Sequence, residues 1–230
     1  MSLHIAAPAD VIRRRCEATT VRVTSGESGY EDGAVVPAGP WHPPPDDMVR
    51  RAASPAAVDT TLVELVDAAA IEARLLTAPH VTRLGRAESP ARALTTTHNY
   101  RDGRRIGLHL DNWDKLSYHD KALGRRRLCV NLGPGTRYLL VCDADIQQIC
   151  RAIRPDHVTC YPHTDDLRAY AAAGLPMTCL RIRLAPGDGY LAPTEFLPHD
   201  GSTEGYASPS TAAFWLGHWP HGTFRSAGSR

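Results

Sequence analysis

The stretch 126–142, RRLCVNLGPGTRYLLVC, decides how this chain is read. Two short runs rich in Leu, Val, Tyr and Cys flank Gly133-Pro134-Gly135, and Gly and Pro together interrupt any helix that would join them. The reading is two antiparallel strands in a hairpin. In the first run Arg127, Cys129 and Asn131 share one face and Leu128, Val130 and Leu132 the other, because successive strand side chains point to opposite sides. A polar stripe on one face and an apolar stripe on the other predict a sheet with one face on a pocket.

The same texture extends both ways. Upstream lie ARALTTTHNY (91–100) and, after the Asp102-Gly103 turn signal, RRIGLHLD (104–111); downstream lie MTCLRIRLA, GDGYLAPTEF and TAAFWLGHW, separated by PGDG and by a Gly/Ser/Pro-rich loop at 200–210. About seven or eight short strands predict a mainly β fold with flanking helices, a small barrel or sandwich. A doubly wound sheet needs regular βαβ alternation, which is absent. Residues 143–175 read as a helical insertion: Asp143 or Asp145 starts IQQICRAI, Asp165 or Asp166 starts LRAYAAAG, and Gly174 and Pro176 stop it. Ahead of the strands, residues 1–58 read as an irregular N-terminal arm, with 24–57 rich in Gly, Pro and Ser. Residues 59–77 read as a supporting amphipathic helix, capped by Asp59 or Thr60, with Leu62, Leu65, Val66, Ala69 and Ala70 at helical spacing. At 230 residues the chain fits a single domain whose β core spans about 95–220.

Basic and acidic residues nearly cancel, leaving a formal charge of +1, so no long-range field gathers nucleic acid or an anionic membrane. No run approaches the roughly 20 apolar residues of a membrane helix, and a soluble, cytoplasmic protein acting on a small molecule is the expectation. The six cysteines (Cys16, Cys129, Cys142, Cys150, Cys160, Cys179) form no CxxC pair and are expected to be buried reduced thiols. Oligomeric state is not legible.

The chemistry concentrates in Gly107-Leu108-His109-Leu110-Asp111. Residues two apart in a strand share a face, so His109 and Asp111 can bind one ion together. Two imidazoles and a carboxylate form the facial set that leaves open positions on iron(II) for other ligands. The alternative is a strand end with a hydrogen-bonded His–Asp pair.

Far downstream, Pro186-Gly187-Asp188-Gly189-Tyr190-Leu191-Ala192-Pro193 precedes His199. With the His-x-Asp pair, this run resembles the cupin-like double-stranded β-helix (jelly-roll) superfamily of Fe(II)/2-oxoglutarate-dependent dioxygenases, over residues 95–220. The resemblance implies a barrel with a helical insertion, metal ligands His109, Asp111 and His199, and use of iron(II), 2-oxoglutarate and O2. His218 and His221 are rivals for the third ligand. The implied reaction is oxidative decarboxylation to succinate coupled to hydroxylation, desaturation or cyclisation of a small molecule, such as an amino acid or a secondary-metabolite intermediate. Asp111 fills the carboxylate position, so halogenation is not expected.

Family members grip the distal carboxylate of 2-oxoglutarate with a basic residue. Many place it on the strand after the distal histidine, but TAAFWLGHW holds no arginine and the first beyond it is Arg225. Arg127 and Arg137, flanking the Gly-Pro-Gly turn, are the other candidates, with Arg127 favoured and Asn131 on its stripe. Tyr100, Ser202 and Thr203 are candidates to complete a carboxylate site. Trp113 packs on substrate or plugs the core. Two alternatives remain: a cupin-type metal dioxygenase that binds its substrate directly without 2-oxoglutarate, and a non-catalytic small-ligand-binding barrel. No HExxH, Gly-x-Ser-x-Gly or phosphate-binding loop points elsewhere.

Overall fold

The computed structural model describes residues 3–53, 61–67, 71 and 80–223. It is mainly β, with twelve strands in two six-stranded sheets among these residues. In spatial order the first sheet is β1 (His4–Ala6), β4 (Leu62–Asp67), β10 (Asp188–Ala192), β7 (Arg126–Pro134), β12 (Ser210–Gly217) and β5 (Thr82–Ser89). The second is β11 (His199–Ser202), β8 (Arg137–Cys142), β9 (Thr178–Leu184), β2 (Cys16–Val23), β3 (Tyr30–Pro37) and β6 (Arg105–Gly107). Among the described residues four α-helices have described bounds, α1 (Ala9–Arg15), α2 (Asp46–Ala52), α3 (Ile146–Ile153) and α4 (Thr164–Ala172), and Ile71 is also helical.

The second sheet nearly closes on itself. The chain leaving β6 passes Leu108, whose N–H donates to Val35 O of β3, and at His109 pairs with His199 of β11, the strand at the opposite end of the order. A barrel-like wall results.

The sheets share one core. Cys129, Tyr190, Ala192 and Ala212 of the first meet Leu139, Val141, Leu180 and Ile182 of the second. Alternation does the rest: Leu128, Val130 and Leu191 turn to the other face of the first sheet and pack around Trp219. Leu140, Cys142 and Cys179 turn to the other face of the second, against Ile146 and Ile149 of α3 and Leu167 of α4. Leu140 has no exposed surface, so truncating it to Ala costs about 2–5 kcal/mol. The expected insertion is therefore the pair α3/α4. Asp145 caps α3 by accepting from Gln148 N–H, whereas α4 starts at Thr164 behind a His163 cap, earlier than Asp165.

Three expectations are corrected. The Gly-Pro-Gly turn is a corner and not a hairpin: β7 pairs with β10 and β12, and β8 with β9 and β11. Residues 62–67 of the expected helix form β4, a strand with β1 on one side and β10 on the other. Its two faces are both covered, Val63 in the shared core and Val66 beside Trp219, so the apolar residues lose the period of two and imitate a helix; the remainder of 59–77, apart from Thr61 and Ile71, lies outside the described residues. The irregular arm, finally, contributes β1, β2, β3, α1 and α2. Gly33, with φ +76°, interrupts β3 with a backbone conformation that masks its strand pattern. All six cysteines are buried free thiols. No helix among the described residues is long and apolar enough to cross a membrane.

Candidate metal centre

The antiparallel bridge that closes the second sheet also builds the site. His109 N–H donates to His199 O at 3.0 Å and His199 N–H to His109 O at 2.9 Å, which sets the two imidazoles side by side with ring centroids 4.6 Å apart. Two residues on, Asp111 N–H donates to Thr194 O at 3.0 Å, fixing the carboxylate beside them. Gly107 makes this approach possible: it has φ +70°, and a Cβ there would collide with Val35 O. One ligand atom from each of His109, Asp111 and His199 lies within 4.8 Å of the others, and the three residues are only 4%, 7% and 2% exposed.

The hydrogen bonds fix which nitrogen faces the gap. His109 Nδ1 lies 2.9 Å from Gly107 O and His199 Nδ1 3.2 Å from Leu197 O. A carbonyl only accepts, so each Nδ1 carries a proton, and in the neutral imidazole Nε2 keeps its lone pair. Burial pushes the His199 imidazole down to about 3, the neutral state a metal ligand needs. Burial alone would raise the Asp111 carboxyl, but the Arg127 guanidinium and the two imidazoles hold it below its ordinary value. Asp111 Oδ1 accepts from Arg127 Nη2 at 2.7 Å. Its Oδ2, 3.8 Å from His199 Nε2, is buried without a hydrogen-bond partner. The His199 Nε2 lone pair is engaged by Arg127 Nη1 at 3.3 Å, whereas the Asp111 Oδ2 beside it lacks a hydrogen-bond partner, and a divalent cation could take both atoms. The donor set fits such an ion.

A cavity of about 330 Å3 opens on this centre. His199, Arg127, Arg137, Tyr190, Phe214 and Trp113 are among the residues lining it. Arg137 shares the inward face of β8 with Leu139 and Val141. Its guanidinium lies against Gly201 of β11, where a Cβ would collide with it, and its Nη1 is buried with no hydrogen-bond partner. Tyr190, pushed up by burial, fills the floor beside Cys129, whose thiol burial also raises.

The remaining candidates fall elsewhere. Tyr100 is 90% exposed beside Arg101 and lines no part of the cavity. Asn131 is buried, but its amide donates to Gly135 O and Leu184 O and accepts from Gly133 N–H and the Ser210 hydroxyl, so it holds the corner between β7 and β8. Ser202 and Thr203 donate to Ala93 O and Pro90 O. His218 is exposed beyond the end of β12, and His221 Nδ1 lies 3.8 Å from Glu64 Oε1, so neither joins the centre. Arg225 lies outside the described residues. Trp113, read as packing on substrate or plugging the core, is 49% exposed and lines the cavity, so it does not plug the core.

Asp200 went unread in the sequence. Its Oδ1 accepts from Thr97 Oγ1 at 2.7 Å and Gly201 N–H at 2.6 Å, while Oδ2 lies 4.0 Å from His109 Nδ1. Burial raises this carboxyl, opposed by His109 and Thr97. Its position directly after His199 was the available signal. A second unread element is the buried pair Lys121 and Glu195, 3.5 Å apart. Glu195 Oε1 accepts from Asp114 N–H and Lys121 donates to Asn112 Oδ1, so the pair braces the segment after Asp111. Nothing in the local pattern of Lys121 marks it.

No protein-family model and no curated protein matches the chain.

Proposed function

We propose that the protein is a mononuclear non-haem iron(II) oxygenase that uses 2-oxoglutarate and O2 to hydroxylate, desaturate or cyclise a small molecule, on a double-stranded β-helix. The observation that carries this reading is the convergence of two proton-free Nε2 atoms and the unpartnered Asp111 Oδ2 beside a cavity whose wall also presents a buried, unpartnered arginine nitrogen. The winding supports the fold: from β7 onward the chain changes sheet at every step except β8 to β9, which pair within the second sheet, β5 pairs with β12, and the His109 segment bridges to β11. β5 and the segment after β6 thus lie beside β12 and β11, which brings the His-x-Asp pair and the later histidine together.

His109, Asp111 and His199 would hold the iron(II). With the co-substrate bound, the metal would supply oxidative chemistry, by which 2-oxoglutarate and O2 would become succinate and CO2 and the second oxygen atom would be available to oxidise a C–H bond. The protein binds, orients and excludes water. Arg137, and not the favoured Arg127, is the residue free to grip the distal carboxylate, because Arg127 is committed to Asp111 and His199. Gly201 leaves room for that guanidinium, and Trp113 at the cavity wall meets the substrate.

The test is anaerobic addition of iron(II) and then 2-oxoglutarate to metal-free protein. A visible metal-to-ligand charge-transfer band is expected in wild type and in none of His109→Ala, Asp111→Ala and His199→Ala. Iron binding without the band means that 2-oxoglutarate does not chelate the metal; no iron binding discards the oxygenase.

A further inference from the structure

We infer that Arg127 is an internal cation which holds the charge position of the metal centre until an ion arrives, and that metal loading is an exchange: Nη1 leaves His199 while Nη2 stays on Asp111. This rests on His109, Asp111 and His199 being metal ligands. Arg127 Nη1 lies 3.3 Å from His199 Nε2. A guanidinium has no lone pair with which to accept, so Arg127 donates and His199 accepts. The lone pair it engages is the only one His199 can offer a metal, since Nδ1–H is committed to Leu197 O. The same atom cannot serve both partners.

The second contact behaves differently. Arg127 Nη2 donates to Asp111 Oδ1 at 2.7 Å and leaves Oδ2 unpartnered. A metal on Oδ2 does not compete with it, and the retained hydrogen bond keeps the carboxylate from closing on the ion with both oxygens. Arg127 is thus a positioning residue for Asp111 and a competitor for His199.

Charge requires both roles. A buried carboxylate without a counter-charge is costly, and Arg127 supplies that charge in the metal-free protein. Once a divalent ion sits between Asp111 and His199, the guanidinium and the ion are like charges a few ångström apart, which favours withdrawal of Nη1. The ring of Phe214, 5.5 Å from the guanidinium carbon and part of the cavity wall, gives the head group a face to rest on. Arg137 touches none of the three ligands and takes no part.

The experiment is calorimetric titration of Co(II), at pH 8, into metal-free wild type, Arg127→Met, Arg127→Lys and His109→Ala. Arg127→Met is expected to bind about tenfold more tightly than wild type, since a charge-assisted hydrogen bond no longer has to be broken. Arg127→Lys, with the charge but a single point of contact, is expected to fall between them. Equal or weaker binding by Arg127→Met overturns the exchange. If that variant does not fold, Arg127→Lys binding no more tightly than wild type overturns it, as does a wild-type Arg127 guanidinium nitrogen-15 resonance that does not move on adding Zn(II). Wild type failing to bind Co(II), or His109→Ala binding it equally well, sinks the metal centre and the exchange with it; normal behaviour of those two with an unchanged Arg127→Met sinks the exchange alone.

Discussion

Arg126 and Arg127 are neighbours on β7 and, as neighbours on a strand, point to opposite faces. Arg126 donates to Glu64 Oε1 at 2.8 Å and to Leu62 O at 2.8 Å, and Glu64 Oε2 accepts from Gly222 N–H at 2.7 Å. Both carboxylate oxygens are thereby satisfied. Arg127 also holds a buried carboxylate, but it leaves Asp111 Oδ2 open and places a second bond on an imidazole lone pair. Burial and ion pairing are common to both, so neither marks function. A closed pair ties β7 to β4 and to the chain near Gly222, whereas an open pair leaves an acceptor free for a further cation.

The contrast is broken most directly by removing each carboxylate. Glu64→Ala strands the Arg126 charge and is expected to cost about 3–5 kcal/mol in urea denaturation, with Co(II) affinity unchanged in the folded protein. Asp111→Ala is expected to reverse the pattern: a smaller loss of stability, because the cavity admits water to Arg127, and a loss of about a hundredfold or more in Co(II) affinity. Loss of Co(II) binding in folded Glu64→Ala would show that the two faces of β7 are one coupled network. A step down in size, Arg137→Met is expected to weaken 2-oxoglutarate binding by about ten- to a hundredfold, read from titration of the charge-transfer band, with metal affinity retained.

The imidazole side of the open pair has a pH signature. Burial holds His199 at about 3, against about 6.5 in an unfolded chain. Between these values the unfolded chain binds a proton that the folded one does not. The contribution of His199 to the stability of the metal-free protein is therefore complete above the unfolded value and falls as pH drops from about 6.5 towards 3, by at most about 1.4 kcal/mol per pH unit. Glu195 and Asp200, carboxyls raised by burial, bind protons in the fold first and act in the opposite sense. The His199 share is thus the difference between wild type and His199→Gln, measured by denaturation at pH 7.5 and pH 5. Identical slopes would mean that His199 takes up its proton in the folded state as readily as in the unfolded one.

Much of this site was legible because its parts are local. His109 and Asp111 sit two apart on an extended segment, and the alternation that put Arg127 and Cys129 on one face of β7 needs no knowledge of partners. Partners are where reading failed. Gly-Pro-Gly signals a turn equally well whether the chain returns along the same sheet or crosses to the other, and only the pairing of β7 with β12 and β8 with β9 distinguishes the two. The segment around Leu62–Asp67 failed for the converse reason: burial on both faces erases the period that separates strand from helix. Arg127 was favoured over Arg137 as the anchor because it shares a strand face with Cys129 and Asn131; what the sequence could not show is that Asp111 and His199 have already engaged it.

Gly201 offers the mildest way to sharpen that separation. It follows Asp200 on β11, and a Cβ there would collide with the Arg137 guanidinium and the Thr96 hydroxyl. The guanidinium is the far end of a flexible side chain and swings aside by rotation about its own bonds, whereas the short, β-branched Thr96 must turn its hydroxyl away from Asp200, so Gly201→Ala should fold with a modest loss. The charge stays in the cavity but loses its alignment. Binding of 2-oxoglutarate is expected to weaken only a few-fold, less than in Arg137→Met, because a displaced guanidinium still attracts a carboxylate but no longer meets it with two parallel hydrogen bonds. Co(II) affinity should not change, since Arg137 touches none of His109, Asp111 and His199. Unaltered 2-oxoglutarate binding in both Gly201→Ala and Arg137→Met would return the anchor to Arg127, and with it the requirement that one arginine leave Asp111 and His199 altogether when the co-substrate binds.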